Sequence, residues 1–157
     1  MSMDNAVERA GVVVLRDRHL ALIERQHLGR RYWVVPGGGI ELGESVEDAA
    51  LREAREELGV GVTLGQLRIR IDHRENDGSI QRQWYFDAAV DDHDIRVSGP
   101  ELTSGRGSYK AVWVPLGELD ADRVLPSAVV RWVLEIEGRW PDEVVIIDER
   151  YPGGGAP

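Results

Sequence analysis

Residues 38–60 read GGIELGESVEDAALREAREELGV, and the rest of the chain is organised around them. Ser45 to Leu58 has the signals of a helix. Ser45 is a side-chain N-cap, with Asp48 three residues on in an approximate capping-box position. Glu47 and Asp48 occupy the first turn, where the helix dipole favours anions, and Gly59 stands where a left-handed C-terminal cap belongs. On such a helix Glu53, Glu56 and Glu57 share one face, within about 100° of arc. Like charges at that spacing repel by about 0.2–0.5 kcal/mol per pair. Glu56 and Glu57 also lie at the negative end of the dipole, at a further cost of about 0.3–1 kcal/mol each when exposed. A helix built only for stability would carry Lys or Arg there. A divalent cation reverses the sign of every one of these terms, and magnesium favours a few carboxylates together with waters and phosphate oxygens.

Beside this acidic face, Ala50, Leu51, Ala54 and Leu58 form an apolar stripe suited to packing on a sheet. Arg52 is one turn before Glu56 and four residues after Asp48, so it can bridge acids and set their rotamers. Glu44 reads either as a structural hydrogen-bond acceptor or as a metal contact. The glycines from Gly37 to Gly39 bring bare backbone near the start of the helix.

Working outward, Gly11 to Leu15 and Leu20 to Arg25 are strand-like runs around a polar turn, the pattern of a hairpin. Tyr32 to Val35 is a short strand stopped by Pro36 and Gly37. Leu67 to Ile71 and Gln81 to Val90 alternate as strands, with a turn at Arg74 to Gly78. Asp91 to Tyr109 is polar and contains Gly, which predicts a long loop, with a short strand near Ile95-Arg96-Val97. Ala111 to Val114 and Val144 to Ile147 are further strands, and Pro126 to Glu137 is a second helix with Val129, Val130, Val133 and Leu134 on its apolar face. Trp33, Trp84 and Trp113 read as core residues. The expected class is α+β, an α/β/α sandwich with a mixed central β-sheet flanked by helices, in one domain over 1–150 with a disordered tail at 151–157.

Written with gaps, the central segment is G-x5-E-x7-R-E-A-x-E-E-x-G-V, from Gly38 through Glu44, Arg52, Glu53, Ala54, Glu56, Glu57 and Gly59 to Val60. This resembles the Nudix box, with every defining position filled over 23 of the 157 residues. The lead-in Trp33-Val34-Val35-Pro36-Gly37-Gly38 and the late Trp113-Val114-Pro115-Leu116 resemble the family as well. The resemblance implies a Nudix fold and a hydrolase of acid anhydrides. Such an enzyme uses magnesium, or manganese in its place, to direct water at one phosphorus of a nucleoside diphosphate derivative. It implies metal ligation by Glu53, Glu56, Glu57 and the carbonyl of Gly37. Glu53 is the candidate general base, with a metal-bridging role as the alternative, and Arg52 is its orienting partner. In this family the base can also come from a late loop, here Glu101 with Asp91, Asp92 and Asp94 behind it. The segment before Trp113, Gly107-Ser108-Tyr109-Lys110, departs from the acid often found there.

Substrate phosphates have candidate partners in Arg31, Arg70 and Arg82, with Arg30 nearby in sequence. The family's marks for ADP-ribose, dinucleoside polyphosphates and coenzyme A are missing, which leaves nucleoside triphosphates, modified nucleotides and nucleotide sugars. The alternative reading is an inactive Nudix-like binding or regulatory module, although such domains usually lose box acids and this chain keeps them. An isoprenoid diphosphate isomerase would need a cysteine, and there is none.

The composition agrees. A net charge of −9 disfavours a nucleic-acid polymer as partner, because affinity for such a backbone comes from Lys and Arg. No apolar run approaches a membrane span, and Met1 to Ala10 lacks the apolar core of a secretory signal. The expectation is a cytoplasmic monomer or homodimer acting on a small nucleotide-like substrate. Rival motifs fail: after Gly38 to Gly43, Glu44-Ser45 stands where a phosphate loop needs Lys-Ser, the four histidines show no H-x3-H spacing, and no G-x-S-x-G occurs.

Overall fold

The strands alternate their apolar side chains between two cores, and that alternation places the two helices on opposite sides of one sheet. A computed structural model describes residues 8–96 and 108–150. In chain order the elements are β1 (Glu8–Val13), β2 (Leu15–Arg16), β3 (His19–His27), β4 (Arg30–Val34), β5 (Gly37–Gly39), α1 (Val46–Leu58), β6 (Val62–Arg74), β7 (Ile80–Val90), β8 (Ser108–Pro115), β9 (Val124–Leu125), α2 (Ser127–Ile136) and β10 (Val145–Arg150). Two short 3-10 turns, Leu116–Glu118 and Ala121–Arg123, lie between β8 and β9.

One five-stranded sheet has the order β10-β6-β7-β1-β5 and is mixed, with β1 parallel to β7 and β10 parallel to β6. The second has β2-β3-β4-β9, with β8 on the other side of β3. Val12, Val14 and Phe86 face a core closed by Ala49, Ala50, Ala54 and Leu58 of α1. Val13, Ile69, Ile71 and Tyr85 face the other core, closed by Val129, Val130, Trp132 and Val133 of α2. Residues of successive parity point to opposite faces of a strand, so a sheet with two apolar faces must be covered twice. The α+β class with a helix on each face of a mixed sheet is therefore what the chain adopts.

Helix α1 begins and ends where its caps direct. Ser45 Oγ accepts from the Asp48 N–H at 3.0 Å, and Gly59 adopts φ 64 with its N–H on the Arg55 carbonyl at 2.9 Å. A Cβ at Gly59 would stand 2.0 Å from the Arg96 carbonyl oxygen, so the position excludes a side chain twice over, by backbone conformation and by space. Three fully buried alanines let the α1 backbone approach β1 closely.

Three local readings change. The expected hairpin starting at Gly11 is divided: β1 joins one sheet, and the chain crosses at Val14 so that β2, and not β1, pairs with β3. The crossing follows from Val14 being buried on the α1 side while β1 is paired on both edges by β5 and β7. Ile95 and Arg96 form no strand; instead the Arg96 N–H satisfies the Leu58 carbonyl at 2.7 Å, near the end of α1. Val97, Glu101 and the tail at 151–157 lie outside the described residues. Pro126 precedes α2 as its N-cap rather than entering its first turn, a boundary shift of one residue. Among the described residues no helix is long and apolar enough to cross a membrane.

Candidate active site

Arg52 organises the acidic face of α1. Its guanidinium grips both carboxylate oxygens of Glu44, Nε to Oε2 at 2.8 Å and Nη2 to Oε1 at 2.9 Å. The same group donates to Glu53 Oε1 at 2.9 Å and to the Gly39 carbonyl at 3.1 Å, and it lies 3.8 Å from Glu56 Oε2. The planar fork of arginine is suited to this multiple engagement, and each charge-assisted bond is stronger than a neutral one. The Arg52 hydrogen bonds, followed by that of the Glu41 N–H, hold the Glu44 carboxyl down to about 2. Reciprocally, the hydrogen bond to Glu44 raises Arg52 above the usual guanidinium range. Glu44 is thus a fixed anion on which the Arg52 side chain is seated.

Opposite this face lies β5, held antiparallel to β1 with Ala10 against Gly38 and Gly11 against Gly37. A Cβ added to Gly38 would stand 2.3 Å from the Glu53 carboxylate. The bare backbone at Gly38 is therefore the space that Glu53 fills. Glu57 Oε2 lies 3.4 Å from the Gly37 N–H, and the Gly37 carbonyl accepts from Arg9 Nη2 at 3.4 Å. Glu53 and Glu57 consequently flank the Gly37–Gly38 backbone, and Glu56 approaches Arg52.

Hard oxygen donors of this kind suit magnesium. The donor chemistry fits, and so does the cradle at Gly38. The box carboxylates are directed to different partners, Glu53 and Glu56 towards Arg52 and Glu57 towards the Gly37 N–H. Among the described residues, the group of His, Asp or Glu side chains whose ligand atoms lie within 4.8 Å of one another is Asp92, His93 and Asp94, an exposed cluster elsewhere.

Next to Gly37 is a cavity of about 360 Å³, lined by Arg9, Arg25, Tyr32, Gln83, Tyr85 and Leu125. Strand register builds it. Arg25 on β3 stands opposite Tyr32 on β4 and opposite Tyr109 on β8. Its guanidinium lies 4.2 Å from the Tyr109 ring centre and 5.7 Å from that of Tyr32, and it donates to the Tyr109 hydroxyl. Among the described residues Arg25 has no carboxylate partner within 4.0 Å. Burial pushes the Tyr85 phenol well above its usual range, so it stays protonated and donates to Gln83 Oε1 at 2.7 Å. The cavity therefore offers two cations, Arg9 and Arg25, within a wall of tyrosines.

Of the residues singled out in the sequence, Gly37, Arg52, Glu53, Glu56 and Glu57 come together. Arg31 lies beyond Tyr32, paired with Glu24 and over the Trp33 ring. Arg70 and Arg82 converge instead on Asp72, at 3.0 and 2.9 Å, and flank Trp84; neither lines the cavity beside Gly37. Burial works against Asp72 ionising, but the Arg82 and Arg70 hydrogen bonds outweigh it and hold the carboxyl below its usual range. Glu101 lies outside the described residues. Sequence reading missed Arg9, Arg25 and Tyr109. Arg25 ends the apolar run of β3 at the position sharing a face with Ile23, which is a weak signal; its two tyrosine neighbours depend on register alone.

The model of the NUDIX domain matches residues 6–133. An RNA pyrophosphohydrolase of Marinomonas sp. (strain MWYL1) is 30% identical over 128 residues, 71% of this chain and 79% of that protein. An 8-oxo-dGTP diphosphatase of Proteus vulgaris is 33% identical over 104 residues, 64% of this chain and 85% of that protein. Among solved structures, a NUDIX hydrolase from Nitrosomonas europaea superposes with a TM-score of 0.70 at 18% identity, covering 92% of this chain and 80% of that one.

Proposed function

This chain belongs to the Nudix family of hydrolases, and on that premise we propose that it cleaves the diphosphate linkage of a nucleotide derivative with magnesium, or manganese in its place. The observation that carries the proposal is the seating of Arg52 on Glu44. It sets Glu53 beside the bare Gly38 backbone, and the adjoining Gly37 carbonyl accepts from Arg9, which lines the cavity that also holds Arg25. The Gly37 carbonyl, Glu53, Glu56 and Glu57 would hold the cation. Bound there, it would neutralise the diphosphate and lower the pKa of the attacking water.

The protein's own groups supply the remaining work. Arg25 and Arg9 offer positive charge to phosphate oxygens, and the tyrosines around Arg25 provide flat surfaces for a base or sugar. Glu53 engages Arg52 through Oε1, which leaves Oε2 as the atom to accept the proton of the attacking water. Glu101 is the alternative base. The two named relatives act on RNA and on 8-oxo-dGTP, so the shared substrate element is a nucleotide bearing phosphoanhydride bonds. The candidates remain nucleoside triphosphates, modified nucleotides and nucleotide sugars.

The test is a panel of these nucleotides with magnesium, read as phosphate released with and without added phosphatase. Direct release indicates a terminal cut, and release only after phosphatase indicates monophosphate products. Nucleotide binding with no turnover on any member would replace this reading with that of an inactive binding module.

A further inference from the structure

A second cavity, of about 540 Å³, opens on the far side of Tyr32 and Leu125, which line both it and the cavity beside Gly37. We propose that Arg30 and Arg123 in this second cavity form an anion subsite for a phosphate that the substrate carries away from the diphosphate being cut. The proposal rests on the reading above that the first cavity takes the nucleoside.

Parallel pairing of β4 with β9 brings the arginines together, with Trp33 beside Val124 and Val34 beside Leu125. Arg123 donates to the Arg31 carbonyl at 3.2 Å, and the Arg31 and Arg123 guanidiniums lie 5.1 and 5.0 Å from the centre of the Trp33 ring. Glu24 is committed to Arg31, and Asp122, which lines the same cavity, to Arg131, while Glu118 and Asp120 share a smaller neighbouring pocket with Arg123 and Trp33. Among the described residues neither Arg30 nor Arg123 has a carboxylate within 4.0 Å. The chain has 28 acids against 19 basic residues, so neighbouring arginines without acid partners are not a by-product of its composition. Like charges gathered on a surface repel unless an anion joins them.

The path between the two cavities fits a nucleoside. Leu125 is 59% exposed and forms an apolar floor, and Tyr32 provides a ring beside it. A base or sugar lying over Tyr32 and Leu125 would project one phosphate group towards Gly37 and another towards Arg30 and Arg123. The ligand class is a nucleotide with a second phosphate on the sugar. Its source is either a phosphomonoester on a mononucleotide or the phosphodiester that begins a second nucleotide.

The test is titration calorimetry of the metal-free protein with adenosine 5′-monophosphate, adenosine 3′,5′-bisphosphate and a 5′-phosphorylated diadenosine dinucleotide. The second phosphate should tighten binding by about tenfold in low salt, and raising the salt should erase much of the gain. In the Arg30→Ala, Arg123→Ala double variant the gain should vanish. Arg30→Ala alone, which removes no contact described above, should lose part of it. Preference for the bisphosphate indicates a phosphomonoester, and preference for the dinucleotide a phosphodiester. Equal binding of all three by the wild type, a gain that survives the double variant, or no binding of any of the three overturns the proposal. Turnover in the phosphatase-coupled panel judges the hydrolase reading separately.

Discussion

Arg52 holds both oxygens of Glu44, eight residues upstream, and only the rest of its guanidinium reaches Glu53. The acidic face of α1 is therefore positioned from the loop that precedes it. Lysine cannot reproduce a two-point grip of this kind. Arg52→Lys should lower kcat by roughly 10–100-fold, the range seen when the partners of metal ligands are lost, while the fold persists. Steady-state kinetics with circular dichroism checks this; wild-type kcat in the lysine variant would mean that Arg52 positions nothing.

The same pair predicts an acid dependence. The Glu44 carboxyl is depressed from 4.5 to about 2, so the folded state binds fewer protons there than the unfolded chain. Its stabilising contribution is complete above pH 4.5 and is lost as the pH falls towards 2. Glu44→Gln should be less stable than wild type at pH 7, and the gap should close on acidification. Thermal melts of both proteins between pH 2 and pH 7 would show it, and a gap that does not vary with pH would contradict the account.

Gly38 separates catalysis from folding. A Cβ there would meet the movable end of Glu53 rather than backbone. Gly38→Ala should therefore leave the melting temperature within a few degrees of wild type while lowering turnover by about 100-fold, the scale of a misplaced catalytic group. Unfolding of the variant at ordinary temperature would show that the space serves the fold instead.

Glu56→Gln and Glu57→Gln each replace a charged oxygen donor with a neutral amide. Both should cost at least about 100-fold in magnesium-dependent turnover and raise the magnesium concentration required, since losing even an outer partner of a ligand costs roughly 10–100-fold. A magnesium titration of activity measures both effects. Full turnover in both variants would remove these glutamates from the mechanism.

Arg25 stands between two tyrosines without an acid partner among the described residues, which fits a role in binding rather than in the fold. Arg25→Ala should raise KM by roughly tenfold or more, the value of a charge-assisted hydrogen bond, with a smaller change in kcat. A fall in kcat at constant KM would place Arg25 in the reacting step instead.

Much of this was legible in the chain before any coordinates. The caps at Ser45 and Gly59, the acids on one face and the alanines beside them are local, because helical spacing ties i, i+3 and i+4 together whatever the surroundings. The class of fold and the acid set followed from that, and most of the strands from their alternation. What local signals could not carry was register and partner choice across the sheets. Nothing in Arg25, Tyr32 and Tyr109 announces that three strands place them side by side, and nothing in Arg70 and Arg82 announces that Asp72 takes both. The crossing of the chain between sheets at Val14 is of the same kind. A strand's pairing is decided by which buried faces fit together over the whole molecule, and a shift of one residue exchanges those faces. The acids of the helix could therefore be read from the sequence alone, whereas the cavity they adjoin was settled only by tertiary packing.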